Sequence, residues 1–298
     1  MHLVNFVLAG GTGFLGTALR QRLREHGHAV TVLTRTPRQP NEVKWDPSGS
    51  AASWLHVLEG ADAVINLAGA SISRRWTAAH KREMWNSRVR LTRTLVAAVK
   101  SARAVPSMLI NASAVGIYGS RGDEAITEES APGSGFLASL VCDWEKEALE
   151  AGPAVRVVLL RSGIVLAAHG GAFPQMALPF RLFVGGRIAS GRQCFSWIHQ
   201  DDWVAMVVWA LSEERVGGPL NVTAPAPVTN SEFSQTLGRV MRRPAVLPVP
   251  PFALRLVVGE LAGELITGQR VFPAKAQSLG FEFRYPLLEP ALRAICRG

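Results

Sequence analysis

The chain has 298 residues, 48% of them hydrophobic, and a net charge of +9, enough apolar content for a substantial core in one large or two modest domains. It has no apolar run of membrane-span length and no leader pattern before the first strand, and its three cysteines, Cys142, Cys194 and Cys296, follow no metal-ligand spacing. A membrane-spanning protein, a disulfide-stapled domain and a cysteine metal centre are thereby set aside; a cytoplasmic protein with reduced thiols and no metal is expected.

Leu3 to Ala9 reads as a strand, and Ala18 to Glu25 has the spacing of an amphipathic helix stopped at Gly27. Between them stands Gly10-Gly11-Thr12-Gly13-Phe14-Leu15-Gly16, so the glycines fall where a strand turns into a helix. Gly10 can give the tight turn, Gly13 can let backbone approach a pyrophosphate, and Gly16 can let the helix pack hard on its strand. The helix N-terminus then offers N–H groups and partial positive charge to phosphates. A glycine-rich turn without a ligand is the alternative that the flanking strand and helix argue against.

Ala29 to Thr34 is the second strand and completes a βαβ unit. It ends in Thr34-Arg35, where NAD-type domains commonly place an acid that accepts from ribose hydroxyls. An arginine there can pair with a 2′-phosphate, which favours NADP(H) over NAD(H); the alternative is an exposed loop arginine. Val43 to Asp46 predicts a short third strand, followed by a loop through Gly49 and Ser50. Ala61 to Gly69 reads as a buried strand whose small terminal residues leave room for a ligand, placing Leu67, Ala68 and Gly69 beside the adenosine or its ribose.

From Ser71 to Arg103 nine basic residues face Glu83 alone, a local excess of +8. Neither a nucleic-acid-binding motif nor interleaved stacking aromatics accompany it, so most of these charges read as a solvated helix face and nucleic acid is not expected as a partner. At 100° per residue, Trp85, Val89, Thr92, Val96 and Val99 form an apolar stripe, with Arg88 projecting among its members. A guanidinium there needs a buried acceptor or a polar cleft. It faces either the cofactor or substrate, or a structural ion pair with Glu83 or another acid.

Ser107 to Ala112 is the next strand and delivers Ser113-Ala114-Val115-Gly116-Ile117-Tyr118-Gly119; a helix over about 136–151 precedes a strand over 154–161. That makes six or seven parallel strands. Beyond Leu166 glycine, proline and arginine accumulate, which reads as loops of a substrate-side domain, with His169 to Arg192 as a cover. Ser196 to Asp202 opens a helix to about Ser212, Pro219 to Thr223 reads as a strand returning to the main sheet, and Thr229-Asn230-Ser231-Glu232 is a helix-start signature. Final helices start near Pro251 and Leu287. The expected architecture is α/β: a Rossmann doubly wound parallel sheet over 1–166, completed by 196–225, with a smaller mixed α/β C-terminal domain over 167–298.

The G-x-x-G-x-x-G spacing resembles that of the short-chain dehydrogenase/reductases. Together with Asn66-Leu67-Ala68-Gly69, Arg74-Arg75-Trp76, Asn86-Ser87-Arg88, the Ser113 to Gly119 turn, Leu160 to Leu166, Ser190 to His199 and Asn221 to Pro225, it resembles the epimerase-family proteins. These are atypical extended members of that superfamily, of the NAD-dependent epimerase/dehydratase type, with a family-specific C-terminal domain. The resemblance implies an NADP(H) site made by Gly10, Thr12, Gly13, Phe14, Leu15, Gly16, Thr34, Arg35, Leu67, Ala68, Gly69, Glu83, Arg88 and Val165, of which Glu83 fits the helix geometry least.

Ordinary members of the superfamily use a serine, a tyrosine and a lysine four residues after it, which tunes the tyrosine and holds the nicotinamide ribose. Here the helix start Phe136-Leu137-Ala138-Ser139-Leu140-Val141 offers neither tyrosine nor lysine. Ser113 and Tyr118 are the remaining candidate catalytic hydroxyls, although the turn that contains Tyr118 is usually structural. The chain is thus expected to be either an NADP-dependent oxidoreductase or epimerase acting on a carbonyl or sugar-like substrate, or an NADP(H)-binding regulator without turnover. In the first case Arg88, Arg192 or His199 could position an anionic group; the reading preferred for His199 is a capping turn that docks the second domain. A small-molecule substrate and a second copy in a homodimer are the expected partners; a membrane is not.

Overall fold

A computed structural model describes residues 4–47 and 53–297. Leu3 and the loop positions Gly49 and Ser50 lie outside the described residues. Seven parallel strands form the main sheet: β1 (Asn5–Ala9), β2 (Ala29–Thr34), β3 (Glu42–Lys44), β4 (Ala63–Asn66), β5 (Met108–Ala114), β6 (Arg156–Ser162) and β7 (Gly218–Val222), in the spatial order β3-β2-β1-β4-β5-β6-β7. This is the doubly wound order, with its topological switch between β1 and β4. The third strand starts and stops slightly earlier than the apolar pattern suggests, because Glu42 turns inward to accept from the Arg38 N–H at 2.7 Å and from Arg20 at 3.1 Å.

The helices are α1 (Phe14–Glu25), α2 (Ala78–Trp85), α3 (Leu91–Ser101), α4 (Phe136–Leu149), α5 (Phe173–Arg181), α6 (Gln200–Ser212), α7 (Asn230–Met241), α8 (Pro251–Val258), α9 (Leu261–Ile266), α10 (Ala274–Ser278) and α11 (Leu288–Arg297). Side-chain alternation along β1 sends Phe6 and Leu8 to one face and Val7 and Ala9 to the other. The first face packs against Leu19 and Leu23 of α1 and Trp203, Met206 and Val207 of α6. The second packs against Leu95, Val96 and Val99 of α3 and Ala148 of α4. Both faces of the sheet are therefore covered, as an all-parallel sheet requires.

The chain beyond Leu166 does not stay apart. Segment 218–222 pairs with β6 as the seventh strand, and Ala276, Leu279, Phe281 and Phe283 join the core on the α1 side of the sheet. A second core gathers Phe173 and Phe180 of α5, Phe233 and Leu237 of α7, Trp197, and Leu288, Leu292 and Ile295 of α11. Helix α5 stands where loops were expected, because Pro174 at its start and Pro179 inside it conceal the helical period. Helix α7 opens with the expected capping box, Thr229 Oγ accepting from Glu232 N–H at 3.1 Å and the Glu232 carboxylate from Thr229 N–H at 2.7 Å. Among the described residues the three cysteines are free, and no helix is long and apolar enough to cross a membrane.

Candidate functional site

The chain leaves β1 at Ala9 and reverses through Gly10, whose φ of +79° is the left-handed region that favours glycine. A β-carbon there would stand 2.7 Å from the carbonyl carbon of Leu67 and 2.8 Å from the nitrogen of Ala68. The glycine loop therefore lies against the exit of β4, and the two segments expected to flank the cofactor meet at the switch point. Gly13 caps α1 without a side-chain cap, and the first turn holds no acidic residue. Its carbonyl receives Thr17 N–H at 2.9 Å, so the amides of Phe14, Leu15 and Gly16 precede the first full helical bond and face outward with the positive end of the helix dipole. This cradle fits a pyrophosphate. Thr12 stands exposed in the loop.

At the exit of β2, Thr34 is half-buried and Arg35 exposed, and no carboxylate pairs with Arg35 among the described residues. The helix from α2 to α3 is continuous but widens to π geometry over Asn86–Arg90, a local irregularity often found at functional sites. Arg88 sits at its centre. Its guanidinium lies 5.3 Å from the Trp144 ring centroid and donates to the carbonyls of Ala70 at 2.9 Å and Met84 at 3.4 Å. A β-carbon on Gly69 would stand 3.1 Å from its Cζ, so Arg88 and Gly69 belong to the same wall. Burial lowers the Arg88 pKa to about 10. It remains a cation at neutral pH, and none of its partners among the described residues is an acid, so the wall suits an anionic or hydroxyl-rich ligand.

Glu83 is not brought to Arg88. Its carboxylate meets His80 Nδ1 at 3.1 Å while more than half of its side chain is exposed, and the other His80 nitrogen contacts the Ser71 carbonyl at 2.9 Å. Glu83 thus steadies the loop after β4 through His80. Val165, after β6, reaches the site from the far side: a β-carbon on Gly171 would meet both the Phe14 ring at 2.9 Å and the Val165 carbonyl oxygen at 3.3 Å. The loop from His169 to Gly171 accordingly rests on the glycine loop through Phe14.

The two candidate hydroxyls, Ser113 and Tyr118, belong to one buried network. Ser113 Oγ donates to Glu145 Oε1 at 2.5 Å and is buried. Tyr118 has no exposed surface; its hydroxyl donates to Asn221 Oδ1 at 2.7 Å and accepts from Arg161 Nη1 at 2.9 Å. Burial pushes its pKa up. Arg161 closes the network with a bidentate pair to Glu145, at 2.8 and 2.7 Å; burial opposes its charge, but the bonds and attraction of Glu145 prevail and hold its pKa above the ordinary value. Both hydroxyls are thus hydrogen-bonded to side chains inside the fold. Alternation along β5 turns Ala112 and Ala114 to the face opposite Ser113.

Periodicity places Thr92 on the stripe of its helix but does not join it to Asn66 and Asn111, its partners in a buried polar set. Asn66, at the end of β4, faces Asn111 in the middle of β5 in register. The Asn66 amide donates to Thr92 Oγ at 2.9 Å and to Asn111 Oδ1 at 2.7 Å, while Trp144 Nε1 also donates to Thr92. This buried set fixes the floor beneath Leu67 and Ala68. Two asparagines within otherwise apolar strand stretches, 63–66 and 108–112, were the available signal. Among the described residues no group of three or more His, Cys, Asp or Glu is arranged to hold a metal ion.

His199 is the N-cap of α6: its Nδ1 accepts from Asp201 N–H at 3.1 Å, and its ring lies 4.0 Å from that of Tyr285 in the C-terminal segment. Burial lowers its pKa below the usual 6.5. The native state then binds fewer protons here than the unfolded one between the lowered value and 6.5, so this contribution is full above 6.5 and declines as pH falls through that window. Burial raises the pKa of neighbouring Asp202, which has the opposite sign. Melting curves of the protein and of His199→Gln should therefore converge as pH falls below 6.5; curves that keep their separation would exclude this role for the neutral ring.

Residues 6–223 match a model described as the NAD dependent epimerase/dehydratase family, and residues 249–295 match a domain of unknown function, DUF1731. The chain is 43% identical to the chloroplastic epimerase family protein SDR39U1 homolog of Arabidopsis thaliana, covering 97% of this chain and 85% of that protein. It is 41% identical to epimerase family protein YfhF of Bacillus subtilis, covering 97% of each. Among solved structures, human epimerase family protein SDR39U1 with NADPH superposes with a TM-score of 0.92 at 37% identity, covering 99% of this chain and all of that one.

Proposed function

The chain belongs to the NAD dependent epimerase/dehydratase family, and from that premise we propose that it binds NADP(H) across the exits of β1, β2 and β4 and acts on a carbonyl-bearing or sugar-like small molecule in the cytoplasm. The observation that carries this reading is the contact of the Gly10 turn with Leu67 and Ala68 beneath the outward amides of α1. The human relative crystallised with NADPH supports the cofactor. The α1 amides would hold the pyrophosphate, Leu67 to Gly69 would line the adenosine side, Arg35 would pair with the 2′-phosphate, and Arg88 would supply fixed positive charge from the β4 wall. When bound, the cofactor supplies or accepts a hydride.

Titrating the protein with NADPH and following its fluorescence tests the first half of this reading. Wild-type protein is expected to favour NADPH over NADH, and Arg35→Asp should weaken NADPH by about 10- to 100-fold, the loss of a charge-assisted contact, while leaving NADH nearly unchanged. Equal losses for both cofactors would remove Arg35 from the 2′-phosphate.

The commitment of Ser113 to Glu145 and of Tyr118 to Asn221 and Arg161 favours a second reading, in which the protein holds NADP(H) without turnover. Nicotinamide absorbance during incubation with aldehydes, ketones and nucleotide sugars separates the two. Oxidation of NADPH above background selects the enzyme; tight binding with no oxidation across the panel selects the cofactor-holding protein.

A further inference from the structure

Eight of the twelve large apolar side chains exposed among the described residues fall on two short segments, 178–184 and 246–256. The backbone joins them: Leu247 N–H donates to Gly185 O at 3.2 Å, and Val249 N–H to Arg187 O at 2.8 Å. Leu178 and Leu182 lie one turn apart at the end of α5, followed directly by Phe183 and Val184. Across the backbone junction stand Val246 and Leu247, and Phe252 and Leu256 lie one turn apart on α8 immediately beyond it. Leu256 is 73% exposed and Val246 76%. Phe183, 58% exposed, adopts a φ of +62° just past the α5 terminus, where glycine is the usual residue. An exposed aromatic kept in that strained position points to a role outside the core.

Charge identifies what this surface fits. Residues 167–200 and 233–259 contain seven arginines and no aspartate or glutamate. Only Arg239 among them is ion-paired within the described residues, to Glu289 at 3.4 Å. Arg243 lies 4.3 Å from the Phe183 ring centroid, and Arg181, Arg187, Arg242 and Arg255 are exposed on the same segments. An isologous contact with a second copy would set these arginines against themselves. A typical protein interface concentrates its apolar residues in a core within a rim of both charge signs. Leucine, valine and phenylalanine tips interspersed with unpaired arginines match the requirements of an anionic bilayer surface, into which apolar tips insert while guanidinium groups meet headgroup phosphates.

We propose that the face formed by the end of α5, the 242–249 loop and α8 docks the protein on anionic membranes as an interfacial contact. This revises the expectation of no membrane partner without invoking a spanning segment. The contact lies on the element that follows the loop resting on Phe14, so the docked face adjoins the cover of the proposed cofactor site.

Flotation of the full chain with vesicles of phosphatidylcholine alone, or with phosphatidylglycerol added, tests the proposal. The protein should float with the mixed vesicles, be released by raised salt, and remain behind with the neutral ones. The triple variant Phe183→Ser, Phe252→Ser, Leu256→Ser and the double variant Arg242→Glu, Arg243→Glu should each partition about tenfold less or weaker still. Unchanged NADPH affinity in both variants would show that they are folded. Equal partitioning onto neutral and anionic vesicles, or wild-type flotation of both variants, would overturn the proposal. So would a dimer in sedimentation equilibrium that the triple variant dissolves while wild-type protein ignores vesicles, since the face would then join two copies.

Discussion

Arg161→Ala should lower the free energy of unfolding by about 3–5 kcal/mol, the loss that follows when one partner of a buried ion pair is removed. Arg161 and Glu145 retain only 8% side-chain exposure each, and the truncation would leave the Glu145 carboxylate with Ser113 as its remaining side-chain partner in the network. Tyr118 would lose a donor in the same step. Urea denaturation of the wild type, Arg161→Ala, Glu145→Ala and the double variant gives the coupling. Replacing the pair by Arg161→Met with Glu145→Met should recover most of the loss, because two methionines bury no charge. A single-variant loss below about 1 kcal/mol, the range of exposed pairs, would show that water already reaches the network.

Gly16→Ala is expected to act against helix propensity. In an unpacked helix the change gains about 0.8–1.0 kcal/mol. Here the added methyl would stand 2.2 Å from the Gly10 carbonyl oxygen and 2.7 Å from the Gly11 Cα, both of them backbone. α1 must shift away from the loop, and a net destabilisation of about 1–3 kcal/mol follows. The same shift carries the first-turn amides off the position built for phosphate, so NADPH affinity should fall by about 10- to 100-fold, the worth of a charge-assisted hydrogen bond or more. Thermal unfolding and NADPH titration read the two effects separately. A stabilised variant with unchanged affinity would mean that α1 does not press on the glycine loop.

Local pattern carried much of the fold. The strand, glycine turn and helix from Asn5 to Glu25, the stripe through Val89, Val96 and Val99, and the Thr229 to Glu232 cap all depend on residues close in sequence, and the structure contains each of them. The partners of the candidate hydroxyls come from distant segments. Glu145 lies 32 residues from Ser113, Arg161 lies 43 from Tyr118, and Asn221 lies 103 from it; no periodicity reports such separations. Seen alone, a serine and a tyrosine after a sheet strand suggest chemistry. The wheel that placed Arg88 assumed uniform turns, whereas the π segment adds a residue to the turn at that point, and Glu83 is drawn to His80 across three residues instead.

The return of the C-terminal segment to the main sheet bears on how the chain folds as it is made. The Glu128 carboxylate receives Asn221 N–H of β7 from 93 residues downstream and Lys275 N–H from 147 downstream. The Lys275 ammonium donates to the carbonyls of Gly217 and Pro219 at the start of β7. Strands β1 to β6 are complete by Ser162, yet the edge of β6 stays unpaired until Gly218–Val222 has been synthesised, and β7 gains its ties to Lys275 only later still. During that interval β6 presents an open edge of apolar residues, the template on which strands of other chains add. Non-local closure of this kind is slow, so the growing chain exposes that edge from the completion of β6 at Ser162 until Gly218–Val222 arrives to pair with it.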